Sequence, residues 1–153
     1  MRTQDWRARV VSGAWALPLR VIVGYGFMAH GYAKYTRGAA AFAGVLHGLG
    51  VPLPDLMAPL TIAIEWLGGL AILAGAFVTA ASVPLVVVMI VAAATVHAPY
   101  GFSSVKLTAV ENGVAHFGPP GYEVALLYVA CLAALVVGGP GPLSVDRWRA
   151  KRK

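Results

Sequence analysis

Charge and cysteine are both scarce in this chain. Only 12% of its residues are charged, against about a quarter in an ordinary water-soluble domain. A surface wholly solvated by water is therefore excluded. The single cysteine, Cys131, rules out an intrachain disulfide and any Cys-x-x-Cys thiol relay. Placed within an apolar run, it reads as a small packing residue. The sequence also lacks motifs for binding flavin, iron–sulfur clusters or nicotinamide. Neither Cys-x-x-Cys-His nor His-x-x-x-His occurs, so no local pattern announces haem or a metal ion.

What is abundant is apolar. Hydrophobic residues make up 59% of the 153, and the mean hydropathy is +0.74. A core of this size cannot hide that much apolar surface, so lipid has to be part of the solvent. Apolar runs at about 14–35, 57–77, 80–97 and 121–138 predict four spans within one domain, 1–153. The fold class expected is an all-α membrane protein, an antiparallel four-helix transmembrane bundle. Arg20 interrupts the first run, which also outlasts a signal peptide, so it is read as an uncleaved helix. Phe42, Val45, Leu46 and Leu49 follow helical spacing between the first two spans, predicting a short segment on the membrane surface. Val78-Thr79-Ala80 is expected to turn, and Pro84 to fall in the first turn of the third span. The stretch Pro99 to Pro120 is read as a long irregular connection.

Twelve Lys and Arg stand against six Asp and Glu. Most of the excess is terminal: Arg2, Arg7 and Arg9, then Arg147, Arg149, Lys151, Arg152 and Lys153. Basic clusters beside apolar spans predict cytoplasmic N- and C-termini, with Trp6 as an interfacial anchor. A nucleic-acid face would need basic residues spread over a folded surface, so nucleic acid is excluded as a partner. The localisation expected is a bacterial inner membrane, multi-pass, with the lipid bilayer as the first partner.

Against this background Glu65 stands out. A carboxylate in the middle of a span costs ~2.5–3.5 kcal/mol on insertion scales, so it needs a partner or a proton. Counting rise per residue along the spans, His30, Lys34, His97 and Glu123 also fall in the outer half, with Arg20 deeper. His30 and Lys34 are four apart and share a helix face. The expectation is one outward-opening chamber. Glu65, His30 and Lys34 are its candidate catalytic groups, and Arg20, His97, Glu123 and Tyr122 would bind substrate. Glu65 could meet Arg20, Lys34 or a Trp, and no metal site is assigned.

The pattern resembles the DoxX family of small bacterial membrane proteins. The resemblance rests on Arg20, His30-Gly31-Tyr32-Ala33-Lys34, Leu49-Gly50-Val51-Pro52 and Glu65-Trp66-Leu67-Gly68-Gly69 with Gly75. It continues through His97, Gly121-Tyr122-Glu123 and the closing Gly139-Pro140-Gly141-Pro142-Leu143-Ser144-Val145-Asp146. It extends from Leu19 to Trp148. It implies a four-helix inner-membrane protein related to thiosulfate:quinone oxidoreduction and to redox or oxidative-stress membrane complexes.

Three functional classes follow. In the first the chain is a quinone-linked oxidoreductase component: His30 or Lys34 donates to a quinone carbonyl, and Glu65 passes protons outward. Quinone would then be the cofactor, with other membrane or periplasmic subunits as partners. In the second it is a non-catalytic accessory or assembly subunit whose polar residues fix helix registry. In the third His30 and His97 bind haem or a metal. Small-solute transport is the residual class.

Overall fold

A computed structural model describes residues 13–152. The basic leader with Arg2, Arg7, Arg9 and Trp6, and the terminal Lys153, lie outside the described residues. The fold is mostly helical: α1 Ala16–Arg37, α2 Ala39–Gly48, α3 Pro54–Ala74, α4 Val78–Ala92, α5 Glu123–Gly138 and α6 Val145–Ala150. A π turn, Ala93–His97, and a 3-10 turn, Ala98–Tyr100, prolong α4.

Glycine spacing decides how α1 meets α3. A Cβ on Gly24 would lie 2.7 Å from Gly69 O, and one on Gly31 would lie 2.6 Å from the Trp66 ring. The two backbones thus approach more closely than any larger residue allows. Arg20 reaches Ile72 and Lys34 reaches Glu65, so the contacts run in opposite order along the two helices, which are antiparallel. Gly68 seats Leu85 of α4, Gly26 seats Tyr128 of α5, and Gly75 admits Arg20. Each of the four long helices touches two of the others: α1 on α3, α3 on α4, α4 on α5, and α5 back on α1. Phe27, Ile72, Leu85, Leu132 and Leu135 fill the space between them.

Two helices, Pro54–Ala74 and Val78–Tyr100, are long and apolar enough to cross a membrane. α1 has the length, but Arg20, His30 and Lys34 interrupt it. α5, at 16 residues, is ~24 Å long. Much of the outward surface is apolar, including Ile22, Leu67, Val83, Val87, Ile90 and Leu127. α2 is the helix expected between the first two spans. It ends at Gly48 and packs Ala43 and Leu46 on Ala58 of α3.

Several expectations need correction. The connection after α4 is not irregular, and the chain is not all-α. Leu107–Glu111 (β1) pairs antiparallel with Val114–Phe117 (β2). Asn112 (φ 51°) and Gly113 (φ 79°) form the turn between them. Two successive positive φ angles match the twist of a hairpin, and Asn-Gly supplies them at least cost. The turn between α3 and α4 falls at Gly75–Phe77 rather than Val78–Ala80. Gly75 is left-handed (φ 66°) and caps α3, its N–H meeting the Ala71 and Ile72 carbonyls. Asp146 takes the first free amides of α4: Oδ1 accepts from Phe77 N (2.8 Å) and Oδ2 from Val78 N (3.0 Å). Because α4 starts earlier than expected, Pro84 lies inside it rather than in its first turn.

Candidate functional site

Glu65 is buried, its side chain 3% accessible, and it meets Lys34. Lys34 Nζ donates to both carboxylate oxygens, at 2.5 Å to Oε1 and 2.6 Å to Oε2. Three features of the fold produce the pair. The antiparallel register of α1 and α3 brings position 34 opposite 65. Gly31, one turn before Lys34, lets Trp66 and the α3 backbone close in. From α2, the Phe42 ring lies 5.3 Å from Nζ, a cation–π contact. A buried carboxylate bound by a single ammonium can exchange a proton with it or offer it to a third group. Lys34 remains reachable, since a quarter of its side chain is accessible.

His30 shares α1 with Lys34 but turns toward α5. Its ring packs edge-on against Tyr128, centroids 6.4 Å apart, and is exposed. His97, at the end of α4, has Nδ1 3.0 Å from the Pro120 carbonyl. Glu123 Oε2 accepts from Ser104 N at 2.9 Å, and Tyr122 stacks edge-on with Phe102. These three fasten the hairpin segment to the ends of α4 and α5.

Arg20 lies elsewhere. Fourteen residues before Lys34, it is ~21 Å away along the helix axis, at the end where α3 stops and α6 begins. It is 2% exposed and all its donors meet carbonyls. Nε donates to Ile72 O (3.1 Å) and Nη2 to Leu73 O (2.8 Å) and Leu143 O (3.2 Å). Nη1 donates to Pro140 O (3.1 Å), Pro142 O (3.5 Å) and Leu143 O (3.2 Å). The Ile72 and Leu73 carbonyls belong to the last turn of α3, where a helix has no amides of its own to satisfy them and favours a cation.

Of the seven candidate residues, the fold therefore joins two by direct contact, Lys34 and Glu65. His30, His97, Glu123 and Tyr122 lie toward the same end with other partners, and Arg20 lies at the opposite end. Among the described residues no group of three or more His, Cys, Asp or Glu is placed to hold a metal ion. Sequence reasoning did not single out two residues that organise the Arg20 end. Ser144 Oγ accepts from Arg147 N to cap α6 and donates to Gly141 O (2.8 Å), and Asp146 caps α4. Both were visible only as letters of the Gly-Pro-Gly-x-Leu-Ser-x-Asp run.

The comparisons bear on part of the chain. A family model described as DoxX matches residues 15–98. The match takes in α1 to α4 with Arg20, His30, Lys34, Glu65 and His97, and ends before the hairpin. No curated protein and no solved structure matches the chain.

Proposed function

The chain belongs to the DoxX family, and from that membership we propose a quinone-linked redox component of a bacterial inner membrane. In this reading α1, α3, α4 and α5 all cross the bilayer as an antiparallel bundle. Both termini face the cytoplasm, on the side of the basic α6. The observation that carries the proposal is the Lys34–Glu65 pair. A membrane helix retains a carboxylate against a cost of several kcal/mol where its chemistry is used.

The donor set fits a quinone headgroup. Such a group needs a hydrogen-bond donor for a carbonyl and, as it is reduced, a source of protons beside it. Lys34 provides the first and Glu65 the second, with the exposed His30 one turn away on α1. Apolar helix faces would take an isoprenoid tail. A bound quinone supplies acceptance of two electrons and two protons. The electrons come from a partner subunit, because no redox-centre motif exists in this chain. Lys34 holds the headgroup by charge, and Glu65 takes a proton from the hairpin end and delivers it to the headgroup as it is reduced. In native membranes, Glu65→Gln is expected to abolish donor-dependent quinone reduction while leaving the protein folded. Unchanged turnover would refute the assignment.

A second reading, a non-catalytic accessory or assembly subunit, is favoured by a different observation. Arg20 with all its donors, His97 through Nδ1 and Glu123 through Oε2 bond to backbone groups, as registry devices do. Co-purification with a larger membrane complex, whose activity survives Glu65→Gln and His30→Ala, would select this reading.

A further inference from the structure

The two ends of the molecule differ in charge. Around the hairpin end Lys34, Arg37 and Lys106 face Asp55, Glu65, Glu111 and Glu123. At the other end, among the described residues, Arg147, Arg149, Lys151 and Arg152, with the buried Arg20, face Asp146 alone. Both carboxylate oxygens of Asp146 are turned into the first amides of α4. The acid is thereby spent on backbone, and the arginines beside it keep their positive field.

Two concavities flank α6. One, of about 640 Å³, is bounded by Trp15, the Gly138–Gly141 loop and Arg147. The other, of about 280 Å³, is bounded by Phe77 and Arg149. Each therefore presents one arginine, one large aromatic and a side of Asp146, whose carboxylate oxygens are held by the α4 amides. The Arg149 guanidinium lies 4.8 Å from the Phe77 ring centroid, and that of Arg152 lies 3.7 Å from the Trp148 ring. Stacked in this way, Arg149 and Arg152 are oriented by aromatic rings, with no carboxylate partner among the described residues. Apolar side chains project beside them. Phe77 (φ 50°) and Leu143 (φ 58°) both hold a left-handed backbone that L-residues avoid. They are also 59% and 81% exposed. Strained, exposed hydrophobes next to stacked arginines, at the end of apolar helices, match the boundary between headgroups and acyl chains.

We propose that this end binds an anionic phospholipid of the surrounding bilayer. Its phosphate lies at Arg149 beside Phe77, with Arg147 and Arg152 adding to the positive field around α6, and its acyl chains run past Phe77 and Leu143. An acidic protein segment would satisfy the arginines but leaves the protruding Phe77 and Leu143 without a partner. The inference rests on the membrane placement of the proposed function and is independent of its quinone chemistry.

Native mass spectrometry of the purified full-length protein in detergent tests it, with phosphatidylglycerol or phosphatidylcholine added. The wild-type protein should retain phosphatidylglycerol at least tenfold more tightly than phosphatidylcholine. A juxtamembrane Arg contributes about a factor of five, so Arg147→Gln/Arg149→Gln/Arg152→Gln should weaken phosphatidylglycerol binding by roughly 100-fold. Arg147→Lys/Arg149→Lys, which keeps the charge, should stay within a few-fold of wild type and guards against a folding artefact. Arg37→Gln, at the opposite end, should change nothing. Equal retention of the two lipids by the wild type would overturn the proposal. So would undiminished phosphatidylglycerol binding by the triple variant, or an equal loss in Arg37→Gln. Glu65→Gln should keep the lipid preference whatever it does to quinone turnover, so the two proposals fail separately.

Discussion

Arg20 and Lys34 occupy the same helix and both reach α3, yet they meet it differently. Arg20 has a planar fork of donors and finds only carbonyls: two from the last turn of α3 and three from the loop before α6. Its charge is solvated by backbone, as water would solvate it, and no donor is left over. Lys34 carries a point charge and finds a single carboxylate. The first arrangement joins three segments of chain and has nothing to exchange. The second is a proton donor and acceptor in contact, with one partner a quarter accessible. Burial of a charged residue therefore does not by itself mark a site. What matters is whether its partner can change state.

The comparison is broken most directly at Arg20. Arg20→Met takes the donor from the Leu73, Pro140, Pro142 and Leu143 carbonyls, leaves Ile72 O with Gly75 N alone, and unties α1 from the loop before α6. A loss of about 3–5 kcal/mol is expected, as for removal of one member of a buried charged network. It should be read as a collapse of thermal stability in detergent. Arg20→Lys should recover only part of it, because an ammonium cannot span the same carbonyls.

Next in size is the pair itself. Glu65→Leu or Lys34→Met alone should each cost about 3 kcal/mol, the low end for a broken buried pair, since Lys34 is partly accessible. The double variant Lys34→Met/Glu65→Leu should recover most of that stability while quinone turnover stays lost. Stability would thus separate from function at Lys34, whereas at Arg20 the two fall together. A double variant as unstable as the sum of the singles would show that the pair is not coupled.

How far each region was legible in the sequence follows from the same chemistry. Glu65 called for a partner, and the residue types allowed Arg20, Lys34 or a tryptophan. The choice of Lys34 depends on the antiparallel register, which Gly24, Gly31 and Gly69 permit but do not announce. The partners of Arg20 could not be read at all, because carbonyl oxygens carry no residue identity. The same holds for Asp146, whose role is to cap a helix almost seventy residues earlier. One chamber lined by most of the ionisable groups was expected because depth along a span can be counted. Rotation about the helix axis cannot, and it turns His30 to Tyr128 while Lys34 turns to Glu65.

Asp146→Ala sharpens the account of the Arg20 end with a smaller effect. Removing the carboxylate frees two amides at the start of α4 and removes a favourable charge from its positive pole. A cost of about 1–2 kcal/mol is expected, measured as a drop in thermal midpoint. Asp146→Asn should recover much of it, since an amide oxygen still accepts. If Asn and Ala behave alike, the cap contributes little and the packing of α6 has to hold this corner instead.

The smallest effect is expected at the hairpin, the region that departs furthest from the four-span reading. All of β2 and most of β1 are exposed, and a two-stranded hairpin is marginal on its own. It is held by its turn and by the tethers from His97, Glu123 and Lys106, whose Nζ donates to the Tyr100 carbonyl. Gly113→Val forces a β-branched residue into a left-handed backbone, at a cost of about 1–2 kcal/mol. That cost should stay local. Amide exchange should accelerate across Leu107–Phe117, while the thermal midpoint of the helices and the Lys34–Glu65 chemistry remain unchanged. Loss of quinone turnover in this variant would mean that the hairpin belongs to the site, and the pair on α1 and α3 would then be only half of it.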